Sequence, residues 1–242
     1  MNPLLELRNV SKSFRGLRAV NDVSVAVETN SIVALIGPNG AGKTTVFNLV
    51  AGVFAPDSGE IEFDHRRIDT LRADQVCAAG IARTFQIVKP FAGLSVLDNV
   101  IVGALHRAAN VLEARRDAER ILDQLGLSAK RDLSAATLTL LNRKRLEVAR
   151  ALATRPKLLL LDEVLAGLRP TECDEMLAIL REINRRDGMT IILIEHVMRA
   201  VMALAQTVVV LHHGEVIARG TPAEIVRDPA VLESYLGEDT EL

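Results

Sequence analysis

The sequence has no tryptophan, one tyrosine and two cysteines, and no apolar run beyond strand length. Each scarcity excludes something. Runs such as Ile32 to Ile36 and Leu158 to Leu161 fall far short of the roughly 18 residues a helix needs to cross a bilayer. Cys77 and Cys173 lie far apart and form neither a CxxC nor a Cys/His spacing, which leaves no disulfide framework or structural zinc site and fits a reducing compartment. Charge of one sign is also lacking. With 29 Lys+Arg against 31 Asp+Glu the net charge is −2, so the basic footprint of a nucleic-acid binder is absent and no nucleic acid is expected as a partner. The chain reaches Glu6 before any long apolar core, against the pattern of a secretory signal, and a cytoplasmic location is expected.

What is present is an ordinary globular composition, 49% hydrophobic and 25% charged over 242 residues, enough for one large domain or a core carrying an insertion. Short apolar runs alternate with amphipathic stretches in an α/β rhythm. The strands expected are Leu4 to Val10, Val23 to Val27, Ile32 to Ile36, Glu60 to Phe63, Ile81 to Phe85, Leu158 to Leu161, Thr190 to Ile194 and Val208 to Leu211. The fully apolar ones belong in the centre of a sheet covered on both faces. Between about Lys89 and Thr154 strand signals vanish, which predicts a helical insertion. Within it Ser95 to Asp98 has capping-box form with Asp in place of Glu, the run Glu113 to Arg120 reads as a solvated face, and Gly126 marks a helix stop.

The most specific pattern is Gly37, Pro38, Asn39, Gly40, Ala41, Gly42, Lys43, Thr44 and Thr45, a G-x-x-x-x-G-K-[ST] loop after the strand Ile32 to Ile36. Its glycines let successive N–H groups turn toward phosphate oxygens, and the helix that follows presents its positive end to the same anion. Lys43 is placed to reach the β and γ phosphates, and the Thr44 hydroxyl stands where Mg²⁺ is held, so the loop predicts a nucleoside triphosphate with its metal. A second pattern, Leu158 to Leu161 followed by Asp162 and Glu163, is an apolar strand ending in paired carboxylates. Asp162 suits the metal, and Glu163 suits the task of polarising the water that attacks the γ-phosphate.

Gln86 closes one strand and His196 another, and neither says much alone. In sequence order, however, phosphate loop, Gln86, helical segment, Asp162-Glu163 and His196 resemble the nucleotide-binding domain of ATP-binding cassette (ABC) transporters, from about Leu4 to Gly237. Gly80 to Gln86, Leu94 to Val100, Ile194-Glu195-His196, Gly220 to Glu224 and Tyr235 to Gly237 resemble its branched-chain amino acid uptake subfamily. The resemblance implies an α/β P-loop NTPase of one domain. It would comprise a RecA-like core, an antiparallel β subdomain and a helical subdomain, the core about 1–88 and 155–242 and the helical part about 89–154. It further implies ATP and Mg²⁺ as ligands, Gln86 sensing the metal and the attacking water, His196 at the γ-phosphate and Phe14 stacked on adenine. The partners implied are a second ATPase chain, two membrane permease subunits and, indirectly, an extracytoplasmic solute-binding protein. The chain would lie peripherally at the cytoplasmic face of the inner membrane, with Lys89 to Leu97 among the residues receiving a helix of the permease.

The sequence departs from the family where its signature stands. In place of Leu-Ser-Gly-Gly-Gln it reads Leu138, Thr139, Leu140, Leu141 and Asn142. Thr139 keeps a hydroxyl for the partner's phosphate, whereas Leu141 removes the glycine that permits close backbone approach. Val164 stands where a proline commonly follows the Asp-Glu pair. The altered signature suggests a heterodimer in which an intact partner completes this chain's site, with a homodimer as the alternative. A regulatory subunit with weak hydrolysis, a soluble cassette acting in DNA repair or on the ribosome, and a small-molecule phosphotransferase are competing readings. The last two are disfavoured, by a single cassette without a long coiled-coil insertion and by a residue set that suits water as acceptor. The residues withhold the solute. His212-His213 reads as a solvated hairpin turn, and Met198, Met202 and Leu204 as the packed face of a helix.

Overall fold

The structure, a computed structural model, describes residues 3–85 and 89–236. Its first half runs β1 (Leu5–Phe14), β2 (Leu17–Val27), β3 (Ile32–Ile36), α1 (Lys43–Val50), β4 (Ser58–Phe63), β5 (Arg66–Arg67), α2 (Ala73–Ala79) and β6 (Ile81–Arg83). Then come α3 (Val96–Ala104), α4 (Val111–Gln124), α5 (Leu140–Ala153), β7 (Leu158–Asp162), α6 (Pro170–Asp187) and β8 (Thr190–Ile194). The chain continues through α7 (Met198–Leu204), β9 (Thr207–His212), β10 (Glu215–Gly220), α8 (Pro222–Ile225) and α9 (Pro229–Leu236).

Two sheets result. One is antiparallel, in the order β2-β1-β4-β5, and the other runs β10-β9-β3-β8-β7-β6, parallel except for the β9-β10 hairpin. Strands β3, β7 and β8 are buried at every position, as their unbroken apolar runs require of central strands. Their alternation divides two cores. Val33, Leu35, Leu158, Leu160, Ile192 and Ile194 face the antiparallel sheet and Phe47 of α1. Ala34, Leu159, Leu161, Ile191 and Leu193 face the helices of the second half, in one cluster with residues of α3, α4, α5 and α6. The helical stretch between β6 and β7 therefore shares its core with the sheet.

Local signals explain the element ends. Ser95 caps α3, its hydroxyl accepting the N–H of Asp98 at 3.0 Å, and Asn110 caps α4 in the same way through Glu113 at 2.9 Å. Helix α6 starts on Pro170 and stops at Gly188 in the left-handed region. His213 and Gly214, both with positive φ, form the two-residue turn between β9 and β10.

Three expectations need correction. The run Glu113 to Arg120 is not wholly solvated, because Asp117 is buried and accepts from Arg155, which also donates to Glu113. The strand expected to reach Phe85 ends at Arg83, where Thr84 turns its hydroxyl to the neighbouring strand. On α7 the buried residues are Ala200, Val201 and Leu204, while Met198 and Met202 are exposed. A residue at i and one at i+4 share a helix face, but the core face here is offset by two positions.

Candidate functional site

The phosphate loop joins β3 to α1 in close contact with its surroundings. Gly37 and Gly42 have φ of 145° and 101°, and a Cβ on them would lie 2.0 Å from the Leu211 carbonyl oxygen and 2.3 Å from that of Ala19. Only glycine fits either position. Gly40 also has a left-handed backbone, at φ 77°. Buried Lys43 donates through Nζ to the carbonyls of Gly37 and Pro38 at 2.7 Å each, folding its ammonium back over the loop. Ala41 is buried, Thr44 and Asn39 are exposed and Thr45 is half-buried on the first turn of α1.

Asp162 ends β7 beside this loop. Its N–H donates to the Thr84 hydroxyl at 3.0 Å, and its Oδ2 accepts from Arg83 at 3.2 Å. Arg83 also donates to Asn48 of α1 at 2.6 Å, so three elements meet on one guanidinium. Burial raises the Asp162 carboxyl above its ordinary range, opposed by Arg83. Burial lowers Arg83, opposed by Asp162. Asp162 and Thr44 line one cavity of about 790 Å³. An oxyanion and a hydroxyl facing common space are hard donors suited to Mg²⁺, which binds through one or two carboxylates together with substrate phosphates. Among the described residues no group of three His, Cys, Asp or Glu side chains could hold a metal unaided. Nucleotide phosphates would have to complete the coordination.

Glu163 follows with φ 51°, a left-handed backbone that L-residues rarely adopt. Its N–H donates to the Ile194 carbonyl at 3.0 Å, and its Oε1 lies 3.2 Å from Nε2 of His196, a hydrogen bond when that nitrogen carries the proton. The ends of β7 and β8 thus bring Glu163 and His196 together. Val164, at the position where proline was expected, is buried in the main core.

The other candidates stand elsewhere. Phe14 is exposed at the end of β1, edge-on to Phe54 with 5.1 Å between ring centroids and with Lys12 over its face. Thr139 caps α5, its hydroxyl accepting the Asn142 N–H at 3.4 Å. Neither lines the cavity shared by Thr44 and Asp162. Gln86 and Val88 lie outside the described residues. Leu141 is buried, and Leu140 is exposed, its Cδ2 lying 3.2 Å from where a Cβ on Gly167 would stand.

Three residues with functional placement went unread in the sequence. Glu147 is buried in the cavity wall, accepts the Phe85 N–H at 2.8 Å and is pushed by burial up to about 6. Glu195, more deeply buried, is pushed up to about 7 by the same cause. Lys144 donates to the Glu163 carbonyl at 2.8 Å, and burial lowers its pKa. Each lies beside a motif residue, but only burial of charge distinguishes them.

The cavity reaches from Thr44 and Asp162 past Phe85 and Lys89 to Val102 and Arg150. Its outer wall is pinned. Arg150 lies over the Phe91 ring at 4.5 Å and donates to the Lys89 carbonyl, while buried Asn99 accepts the Phe91 N–H and donates back to its carbonyl.

Residues 20–166 match the family model described as ABC transporter. The chain belongs to that family. It is the ATP-binding subunit of a transporter and an ATPase. Residues 215–241 of this cassette match a second model, described as branched-chain amino acid ATP-binding cassette transporter. The high-affinity branched-chain amino acid transport ATP-binding protein BraF of Pseudomonas aeruginosa is 38% identical, over 98% of each chain. The lipopolysaccharide export system ATP-binding protein LptB of Acidithiobacillus ferridurans is 36% identical over 100% of each. A crystal structure of the ADP conformation of an ATP-binding cassette of an ABC transporter superposes with TM-score 0.89 at 29% identity, over 98% of this chain and 100% of that one. No helix among the described residues is long and apolar enough to cross a membrane.

Proposed function

We propose that this cassette is the hydrolytic subunit of a membrane importer for branched-chain or related amino acids, dimerising around two Mg-ATP. The observation that carries the hydrolytic part is the Glu163–His196 pair at 3.2 Å, one residue past the Asp162 that shares a cavity with Thr44. The loop N–H groups and Lys43 bind the β and γ phosphates. Mg²⁺, when bound at Thr44, Asp162 and Gln86, would neutralise charge on the phosphate oxygens. Water attacks the γ-phosphorus as the bond to the bridging β-phosphate oxygen breaks. Glu163 holds that water and takes its proton, while His196 keeps the carboxylate turned inward and contacts the γ-phosphate.

Phe14, exposed at the end of β1, would stack on adenine. Thr139 and the α5 end would approach the nucleotide of a second ATPase chain. Exposed Phe85, which lines the cavity, and exposed Phe91 and Leu94 suit contact with the membrane permease subunits at the cytoplasmic face of the inner membrane. A solute-binding protein would deliver the solute from the other side. The domain limits proposed are a core of about 1–88 and 155–242 and a helical part of about 89–154.

Amino-acid import is supported by the match at residues 215–241 and by the BraF likeness. A second reading has its own support. The lipopolysaccharide export protein covers the chain as fully. Reconstitution with its permease subunits in proteoliposomes separates these. Leucine, isoleucine or valine with the binding protein should stimulate ATP hydrolysis and drive solute uptake. Stimulation by lipopolysaccharide alone would replace the importer reading with the exporter one.

A further inference from the structure

Two buried charges converge on the loop after β7, and neither has a part in nucleotide binding as described above. Lys144, on the second turn of α5, is 5% exposed, and Glu195, the residue after β8, is 2% exposed. Lys144 Nζ donates to the Glu163 carbonyl at 2.8 Å, and Glu195 Oε1 accepts the Leu165 N–H at 2.9 Å. Each charge lies in the attractive field of the other, and Glu147 and Glu163 add to the field at Lys144.

Burying charge is a poor way to gain stability, since apolar side chains of similar volume commonly do as well. These two groups do something apolar side chains cannot. They satisfy one carbonyl and one N–H on either side of Val164, and so fix the loop in which Glu163 takes its left-handed backbone. The Glu163 carbonyl also accepts the Ala166 N–H at 3.2 Å, and its N–H is held by Ile194. The backbone of Glu163 is therefore tied at both ends, with one of the ties coming from a different helix. That helix begins at Leu140, in the segment whose end is proposed to face the partner's nucleotide.

We propose that Lys144 is a positioning residue that fixes the Glu163 backbone and links the aim of its carboxylate to the placement of α5, while Glu195 holds the next residues of the same loop at Leu165. A shift of α5 on closure with a second chain then moves the donor that holds Glu163. The state of one nucleotide site is thereby registered at the other. The proposal rests on the reading of Glu163 as the group that holds the attacking water.

The test is ATP hydrolysis by the assembled transporter carrying Lys144→Met, Lys144→Gln, Lys144→Arg or Glu163→Gln, with kcat, KM for ATP and melting temperature measured for each. Lys144→Met should lower kcat about ten- to hundredfold with KM within about twofold of the parent, the pattern of a misaimed reacting group. Lys144→Arg, which keeps a charged donor, should restore most of that loss. Combined with Glu163→Gln, Lys144→Met should subtract nothing further. Parental kcat in Lys144→Met, or a loss confined to KM, overturns the proposal, as does an undiminished further loss in the double variant. Should Lys144→Met fail to assemble, Lys144→Gln decides: reduced kcat at unchanged KM supports the link, and parental kcat overturns it. Parental activity in Glu163→Gln would instead overturn the reading of Glu163 itself.

Discussion

Glu163 concentrates the account at the scale of a residue. A non-glycine residue at φ 51° carries a backbone cost on the order of 1–3 kcal/mol, and such strain persists only where neighbours fix it. Ile194, Ala166 and Lys144 supply that fixing through the Glu163 peptide groups. Buried Glu147 yields a pH prediction. Its carboxyl is pushed from an ordinary 4.5 up to about 6 by burial, so the native state holds its proton more tightly than the unfolded chain. The stabilisation this gives is fully present below about 4.5 and is lost as pH rises through about 6, amounting to about 2 kcal/mol over the window. Denaturant unfolding from pH 4.5 to 7.5 should show Glu147→Gln gaining relative to the parent by that amount; parallel curves would refute it. At this scale Lys43, Asp162 and Glu163 stood out as candidates because each occupies a place in a spaced motif or at the end of an apolar strand, and His196 only through the order in which it follows them. Lys144, Glu147 and Glu195 did not, because a charged residue inside a helix or after a strand reads as surface until the packing that buries it is known.

At the scale of the element, α5 carries the main departure from the family. Its cap is intact through Thr139, but Leu141 fills core space where glycine is expected. Leu141→Gly should destabilise the chain by about 3 kcal/mol, from lost apolar burial and added backbone freedom. The same change should raise hydrolysis at the partner's site in a mixed complex, because the backbone can then approach phosphate. Unfolding midpoints and site-resolved ATPase rates check the two effects separately, and a stability loss without a rate gain would count against the signature reading. Strands β3, β7 and β8 were legible from end to end or within a residue because unbroken apolar runs have one solution in a covered sheet. The face of α7 was not, because three apolar residues at mixed spacing do not say which side meets the core. The tie from Arg155 to Asp117 also escaped the sequence, since it joins residues on opposite sides of α5 in the chain.

Across the whole molecule, one cavity of about 790 Å³ runs from Thr44 and Asp162 to Phe85. Because α3 to α6 share a core with the sheet, movement of the helical part would be transmitted through close-packed contacts to the ends of β7 and β8. The α/β architecture and its helical stretch were legible from the order of runs, whereas the division of the strands into two cores required the packing itself. We infer that this chain hydrolyses ATP through Glu163 when assembled with its membrane subunits. The direct measurement is steady-state ATP hydrolysis by the complex with parental chain, Glu163→Gln and Lys43→Ala, with nucleotide binding measured alongside. Glu163→Gln should bind ATP as the parent does and lose about a hundredfold or more in kcat, while Lys43→Ala should lose binding as well. A complex whose rate is negligible with the parental chain and unchanged by either substitution would contradict the account and leave the chain a binding or regulatory subunit.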